Sequence, residues 1–309
     1  MPEPGVYSDS FFAMGTRCDV LLADVDEESG EQVLQLVKNK MIQIESQLSR
    51  FIPQSPISRL NRAGKGEWLY TSQTVWEVLT ICYDFFQVSN GVFDITLAPL
   101  INLWKANHGG GQIPGDEIER AKAICGFDKV VFDFEKQRLR FLSDGVGFDL
   151  GGIGKGFAID TIKKVLLNQK IERAIINLGD SSVLALGQHP NGEDWPIGIR
   201  NAYSKNEYIH VFQVNNETVT TSGTVYNTEK NKKGVRLHII NPLSGKPIES
   251  PCSVSVKSDS ATFGEFLATT WVILPEYDKK ILSEKCRKVE TLEINYKSES
   301  DFETKLTIL

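Results

Sequence analysis

The most informative stretch of the chain is GFDLGGIGKGFAID, residues 147–160, in which five glycines and one lysine lead into a helical pattern. Two phosphate-binding fingerprints can be tested against it. The Walker A pattern G-x-x-x-x-G-K-[ST] fails twice, because Asp149 occupies the position of its first glycine and Gly156 follows Lys155. The dinucleotide pattern G-x-G-x-x-G also fails, because the third glycine comes one residue early. Neither fingerprint therefore identifies the loop as a phosphate-binding loop.

The physical basis of both fingerprints is nevertheless present. Glycines let the backbone approach a ligand closely, and the unpaired amides at the start of the following helix can bind an anion. Lys155 adds a positive charge at that end. Taken alone, the loop favours a tight strand-to-helix turn with a solvated lysine. Asp149 is unusual beside a bare phosphate and suggests a hydrogen-bonded ligand group or a metal nearby.

Composition excludes several classes of function. The net charge of −6 over 309 residues gives no basic face for nucleic acid. The 5 cysteines contain no C-x-x-C pair, so they indicate neither a disulfide framework nor a zinc site and fit a reducing compartment. The N-terminus lacks a signal-peptide pattern, and no run reaches the roughly 18 apolar residues of a membrane span. We expect a cytoplasmic protein, or an exported one if a signal segment has been removed.

Hydrophobic periodicity predicts an α+β fold of mixed, mostly antiparallel sheets packed with helices, forming a single domain over residues 1–309. A strand is expected within residues 5–23, and two strands joined by a turn within VVFDFEKQRLRFL, residues 130–142. Pro99 is expected to interrupt any regular element in FDITLAPLINLW. Helices are predicted at 31–51, from the Ser72 region to about 90, in GDEIERAKAICG, at 155–168 and at 260–274. Further strands are predicted in RAIINL and around 193–200, 208–214, 217–222, 235–241 and 252–257.

Seven segments, taken in order, resemble the FAD:protein FMN transferase family, the ApbE-like flavin transferases. No single segment is specific, but their common order over residues 11–275 is. The segments are FFAMGT (11–16), LSRFIPQSPISRLNRAG (48–64), GVFDITLAPLINLW (91–104), DLGGIGKGFAID (149–160), TSGTVYN (221–227), HIINPLSGKPI (238–248) and SVSVKSDSATFGEFLATTWVIL (253–274).

The resemblance implies a function. Members of the family bind FAD and a divalent cation, usually Mg²⁺, and transfer the FMN half to a threonine or serine of an acceptor flavoprotein. A phosphoester is formed and AMP is released. By position in the motifs, the residues implied at FAD are Met14, Phe51, Val92, Phe93, Asp94, Asp149, Lys155, His238 and Ile240.

Several of these residues also have a simpler interpretation. Phe51 and Phe93 could equally be core residues, and a single histidine is more often structural than catalytic. His238 and Ile240 are two residues apart on a predicted strand, so their side chains should point the same way. For the loss of a proton from the acceptor hydroxyl, His238 is the first candidate base and Asp149 the second.

The resemblance assigns the cation to the backbone carbonyl of Gly152 and to the side chains of Glu265 and Thr269. The i, i+4 spacing of Glu265 and Thr269 would place both side chains on one face of a helix. Without the resemblance, these two are ordinary helix-surface residues. With it, the cation would bridge the phosphates, while Lys155 and the loop amides supply fixed positive potential.

The chain departs from the family pattern at four points. Glu265 replaces the usual Asp and lengthens the arm by one methylene, NLGDSS (177–182) has lost one glycine, TSGTVYN lacks the common charged residues, and Asn241 replaces an Asp. Two alternatives to the transferase therefore stay open. One is an FAD pyrophosphatase that forms FMN and AMP, and the other is a protein that binds FAD without catalysis.

Overall fold

The structure is a computed structural model that describes residues 5–107, 113–204, 206–227, 233–235, 238–286 and 288–309. The helices of this part of the chain are α1 (Glu27–Leu48), α2 (Pro56–Leu60), α3 (Gln73–Val88), α4 (Ala98–Ala106), α5 (Gly115–Ala123), α6 (Gly154–Asn168), α7 (Ala261–Ile273) and α8 (Glu276–Ser283). The strands are β1 (Gly5–Ala13), β2 (Thr16–Val25), β3 (Leu69–Tyr70), β4 (Val130–Asp133), β5 (Arg138–Phe141), β6 (Arg173–Leu178), β7 (Ser182–Leu186), β8 (Trp195–Arg200), β9 (Tyr208–Val214), β10 (Glu217–Gly223), β11 (Val225–Asn227), β12 (Lys233–Val235), β13 (Ile240–Asn241), β14 (Lys246–Pro247), β15 (Cys252–Ser258), β16 (Glu290–Tyr296) and β17 (Phe302–Ile308).

The centre of the fold is an eight-stranded sheet of order β1-β2-β6-β7-β10-β15-β16-β17. Every neighbouring pair in it is antiparallel. Successive residues of a strand face opposite sides of a sheet, and β7 shows this directly. Leu184 and Leu186 join the main core, to which α1, α6 and α7 contribute, whereas Val183 and Ala185 join the core under the β8–β9 hairpin. The predicted α+β class with mostly antiparallel sheets is confirmed.

Helix prediction from the apolar repeat is largely confirmed. In α1, Val33, Val37, Met41 and Ile44 are buried at steps of three and four residues, as one face of an amphipathic helix requires. The helix begins after Asp26, whose carboxylate accepts from the Ser29 amide. Helix α3 begins after a Ser72 cap, and α6 and α7 fall within a few residues of their predicted bounds.

Residues 5–23 were predicted as one strand and instead belong to the β1–β2 hairpin. Met14 and Gly15 form its turn, with φ of 55° and 72°. Met14 is not a typical turn residue, and apolar alternation continues on both sides of it. The sequence pattern therefore hides the reversal of the chain.

Two further expectations need correction, and strand β7 was not expected. Pro99 does not interrupt a regular element, because it lies in the first turn of α4, where a missing amide breaks no helical hydrogen bond. The strand predicted at 235–241 corresponds to the end of β12 and to β13, with 236–237 outside the described residues and His238 in a turn. Strand β7 was not predicted, because Ser182 begins it directly after the turn in NLGDSS.

Candidate active site

The residues implied at FAD line a cleft of about 1360 Å³. Its walls come from the β1–β2 turn, the glycine loop before α6, strand β8 and the end of β10. Residues far apart in the chain thus meet in one place. All nine positions assigned to FAD line it, namely Met14, Phe51, Val92, Phe93, Asp94, Asp149, Lys155, His238 and Ile240. The cleft exceeds the roughly 300–1,000 Å³ of an ordinary small-molecule pocket, so it has room for a dinucleotide.

Asp149 fixes the start of the glycine loop. Its amide donates to the Ile95 carbonyl at 2.7 Å, and its Oδ1 accepts from the Gly151 amide at 2.8 Å. Its Oδ2 lies 2.8 Å from Nε of Arg50, and the two side chains are only 14% and 11% exposed. These contacts tie Asp149 to the glycine loop and to Arg50. Its role as a base stays a prediction.

Lys155 is the second residue of α6 and is 25% exposed. The first turn of this helix has no side-chain cap, because it is preceded by Ile153. The amide of Gly154 already donates to the Leu150 carbonyl at 2.8 Å. The following amides of the first turn, together with Lys155, suit an anion. The Lys155 Nζ also lies 3.9 Å from Oε1 of Glu265, so this positive charge stands beside the residues assigned to the cation.

The three positions assigned to the cation come together. Glu265 and Thr269 lie one turn apart on α7, and a Cβ built on Gly152 would stand 3.8 Å from Thr269 Oγ1. Thr269 Oγ1 is 2.9 Å from Ser222 Oγ. Glu265 is 5% exposed and therefore buried, so its interpretation as an ordinary helix-surface residue is wrong.

The chemistry of this group fits a hard cation. Oε1 of Glu265 accepts from Ser182 Oγ at 2.6 Å, while Oε2 is buried and has no hydrogen-bond partner in the described part of the chain. A buried carboxylate oxygen without a partner is costly unless something else occupies it. A carboxylate, a hydroxyl and a carbonyl are the oxygen ligands that Mg²⁺ accepts, with its remaining positions filled by water and phosphate. Over the described ranges, no three His, Cys, Asp or Glu side chains cluster as a metal site.

Helix α7 is held in place by α6. Asp160 of α6 accepts hydrogen bonds from the Ala261 and Thr262 amides, at 2.8 and 2.9 Å, and from the hydroxyls of Ser260 and Thr262. A Cβ at Gly156 would overlap the Ala261 carbonyl oxygen, so only glycine permits this approach of the two helices. The last residue of the motif GFDLGGIGKGFAID therefore positions the helix that carries Glu265 and Thr269.

The two phenylalanines differ. Phe51 is 75% exposed at the cleft, with the Arg50 guanidinium and the Lys105 ammonium 5.2 and 5.4 Å from its ring centroid, so the core interpretation is wrong for it. Phe93 is 4% exposed and packs edge-on against Phe85 and Phe266, so it is also a core residue. An exposed ring beside two cations can stack on a planar ligand.

Asp94 has a local structural role. Its Oδ1 accepts from the amide and the hydroxyl of Thr96, each at 2.7 Å. Burial raises the pKa of Asp94 to about 6, against the lowering effect of these two hydrogen bonds. Its neighbour Val92 is buried at the cleft wall.

His238 and Ile240 do not share one strand face. His238 lies in a turn and is exposed, whereas Ile240 begins β13 and is 4% exposed in the small core around Leu100. Both residues line the cleft. The exposed imidazole of His238 can reach a ligand from the rim, whereas the buried side chain of Ile240 forms part of the cleft wall.

The NLGDSS turn holds Asp180 in a left-handed conformation. Gly179 and Asp180 have φ of 66° and 56°, and the Asn177 side chain both accepts from the Asp180 amide and donates to its carboxylate. Asp is one of the few residues that tolerate the left-handed region, so the substitution is accommodated. The carboxylate of Asp180 is exposed and lines the cleft.

Three residues of the site were missed from the sequence: Arg50, Asp160 and Ser182. Arg50 stands in the quoted LSRF segment and Asp160 ends the glycine motif, so both had a signal. Ser182 had none, since a serine at the start of a strand is unremarkable without its partner, Glu265, 83 residues further along the chain.

Comparison with known proteins agrees with this architecture. The structure is similar to the flavin transferase ApbE from Vibrio cholerae, with a TM-score of 0.83, 22% identity and coverage of 98% of this chain and 97% of that one. It is similar to the flavinyl transferase ApbE of Pseudomonas stutzeri in its apo form, with a TM-score of 0.83, 24% identity and coverage of 99% and 95%. At these identities the likeness concerns the fold, which is that of the flavin transferases.

The sequence comparisons settle the family. The model of the ApbE family matches residues 14–292, and the chain therefore belongs to the ApbE family. A relative from Klebsiella pneumoniae (strain 342), named FAD:protein FMN transferase, is 29% identical over 273 residues, covering 87% of this chain and 83% of its own. Another relative of that name, from Chlamydia muridarum, is 31% identical over 222 residues, covering 70% of this chain and 68% of its own.

Among the described helices, none is both long and apolar enough to cross a bilayer.

Proposed function

We propose that the chain transfers FMN from FAD to a threonine or serine hydroxyl of an acceptor flavoprotein, with a divalent cation as helper and AMP as the second product. The observation that carries this proposal is the unpartnered Oε2 of buried Glu265, which lies one helical turn from Thr269 and beside Lys155. Thr269, Lys155 and Gly152 line the cleft. The names of the relatives support the same reaction. A protein that only stores FAD would not require a buried carboxylate oxygen without a hydrogen-bond partner.

FAD binding is assigned to the cleft as a whole. The exposed ring of Phe51 can stack on one of the two planar ring systems, and Met14 in the β1–β2 turn contributes an apolar surface. Lys155 and the amides at the start of α6 face the negative pyrophosphate. These contacts orient the phosphorus that is attacked.

The cation would be held by Glu265, Thr269 and the Gly152 carbonyl, and we propose Mg²⁺. When bound, it would supply Lewis-acid polarisation of the phosphate oxygens. Lys155 contributes fixed positive charge at the same phosphates. Its ammonium lies 3.9 Å from Glu265 Oε1, beside the proposed cation ligands.

In the transfer, the acceptor oxygen forms a bond to the phosphorus of the FMN half, and the bond from that phosphorus to the AMP oxygen breaks. The acceptor hydroxyl loses its proton, and AMP leaves with the bridging oxygen. His238 is the residue proposed to take the proton, because it is exposed at the cleft rim, where an acceptor segment would enter. Asp149 is engaged by Arg50 and serves the loop.

The test is to incubate the purified chain with FAD and Mg²⁺, with and without a flavoprotein fragment that carries an acceptor threonine. Fluorescent flavin that stays on the fragment in a denaturing gel supports transfer. A fragment with alanine at the acceptor position is the matched control and should stay dark. AMP released without labelled fragment would indicate the pyrophosphatase, and intact bound FAD would indicate a binding protein; either result contradicts the proposal.

A further inference from the structure

Ser182 and Glu265 form a buried pair that crosses the fold. Ser182 begins β7, is fully buried, and points to the helix side of the sheet together with Leu184. Its hydroxyl donates to Oε1 of Glu265 at 2.6 Å. A hydrogen bond to a charged acceptor is among the stronger ones in a protein interior.

This bond distinguishes the two oxygens of Glu265. Oε1 is held by Ser182 and lies on the Lys155 side, 3.9 Å from that ammonium. Oε2 is buried without a hydrogen-bond partner among the described residues. A half turn of the carboxylate only exchanges its two equivalent oxygens. One oxygen therefore accepts from Ser182 and the other is left for a cation.

We propose that Ser182 is a positioning residue that makes Glu265 a one-oxygen ligand and so sets the preference of the site for Mg²⁺ over Ca²⁺. The inference rests on the proposed function in that it takes the cation site from it. Mg²⁺ requires near-octahedral geometry at about 2.0–2.1 Å and suits carboxylates that offer one oxygen. Ca²⁺ takes about 6–8 oxygens at longer distances and accepts a carboxylate through both of its oxygens.

The pair also accounts for the glutamate in this chain. The side chain of Glu has one more rotatable bond than that of Asp, so it needs an additional restraint to present its oxygen in one place. Ser182 supplies that restraint from a strand, which is a more rigid support than a loop. Its effect is therefore on which cation binds, in addition to how tightly.

The test is the Ser182→Ala variant of the full chain, titrated separately with MgCl₂ and CaCl₂ by displacement of bound Mn²⁺, followed by electron paramagnetic resonance. Removing a residue that orients a metal ligand typically costs about 10–100-fold in affinity. We expect the Mg²⁺ affinity to fall by about tenfold while the Ca²⁺ affinity is kept, so that the preference for Mg²⁺ falls by about tenfold as well.

The matched control is Ser255→Ala. Ser255 is also a fully buried serine of the central sheet, but its hydroxyl is paired with Thr221 Oγ1 at 2.8 Å. Its loss should leave the Mg²⁺/Ca²⁺ preference unchanged. If Ser182→Ala does not fold, Ser182→Cys takes its place, since a thiol keeps the shape but is a weak donor; it should shift the preference in the same direction.

A folded Ser182 variant that keeps the wild-type preference would overturn the inference, as would equal losses for both cations, which would indicate a merely structural role. Wild-type protein that binds neither cation would overturn it too. The titrations contain neither FAD nor acceptor, so they are independent of catalysis. The proposed function fails if wild-type protein with FAD, Mg²⁺ and acceptor yields no labelled acceptor, whatever the cation preference.

Discussion

Replacement of Asp160 by alanine should weaken both the fold and the site, because this carboxylate caps the helix that carries Glu265. It accepts from two backbone amides, those of Ala261 and Thr262, and from two hydroxyls. The hydroxyls can turn to other partners, whereas the amides at the helix start cannot. At about 1.5 kcal/mol for each amide bonded to a charged group, the expected loss in the free energy of unfolding is about 3 kcal/mol.

The measurement is urea denaturation of the wild type and the variant, together with titration of Mg²⁺. Asp26→Ala is the control, since Asp26 also caps a helix through a carboxylate, but within α1, which carries none of the residues assigned to the cation. We expect Asp160→Ala to lower both the midpoint of unfolding and the affinity for Mg²⁺, and Asp26→Ala to leave the affinity for Mg²⁺ unchanged. Wild-type stability in Asp160→Ala, or an unchanged cation affinity, would refute the reasoning that α6 positions α7.

Three other predictions can be checked with the same material. Burial raises the pKa of Asp94 to about 6, above the ordinary value of 3.8, so folding favours its protonated form. As pH rises from 4 to 7, the free energy of unfolding of the wild type should therefore fall by on the order of 3 kcal/mol relative to Asp94→Asn. Denaturation at each pH measures this, and free energies that change in parallel for the two proteins would contradict it. Gly156→Ala should cost about 1–3 kcal/mol through overlap with the Ala261 carbonyl, measured by thermal unfolding, and an unchanged midpoint would count against the tight helix contact. Lys155→Ala should lower the rate of AMP release by about 100-fold with the fold intact, and a wild-type rate would remove Lys155 from the proposed phosphate site.

The regular elements could be predicted where their periodicity is long and local. Helix α1 shows its buried stripe over 22 residues, and α3 adds a serine cap. The β1–β2 hairpin could not be predicted, because Met14, the first residue of its turn, is not a usual turn residue, although Gly15 is, and apolar alternation continues on both sides of the turn. Pro99 does not interrupt α4, because proline stops a helix in its interior but is compatible with its first turn.

The order of the sequence motifs predicts which residues belong to the candidate site, but not how each of them is buried. The positions matched through the resemblance line one cleft or adjoin it, yet their burial differs from residue to residue in a way that no motif states, as with exposed His238 and buried Ile240. Contacts between distant segments, such as Arg50 with Asp149 and Ser182 with Glu265, depend on the tertiary fold. The organisation as a single domain stays a prediction.

The proposed transfer is tested most directly by mass spectrometry of an acceptor flavoprotein after incubation with the chain, FAD and Mg²⁺, with AMP measured in the same sample. We predict that the acceptor gains the mass of one FMN on its threonine or serine and that one AMP is formed for each FMN attached. AMP formation without any gain in acceptor mass, or no AMP at all, would contradict the account.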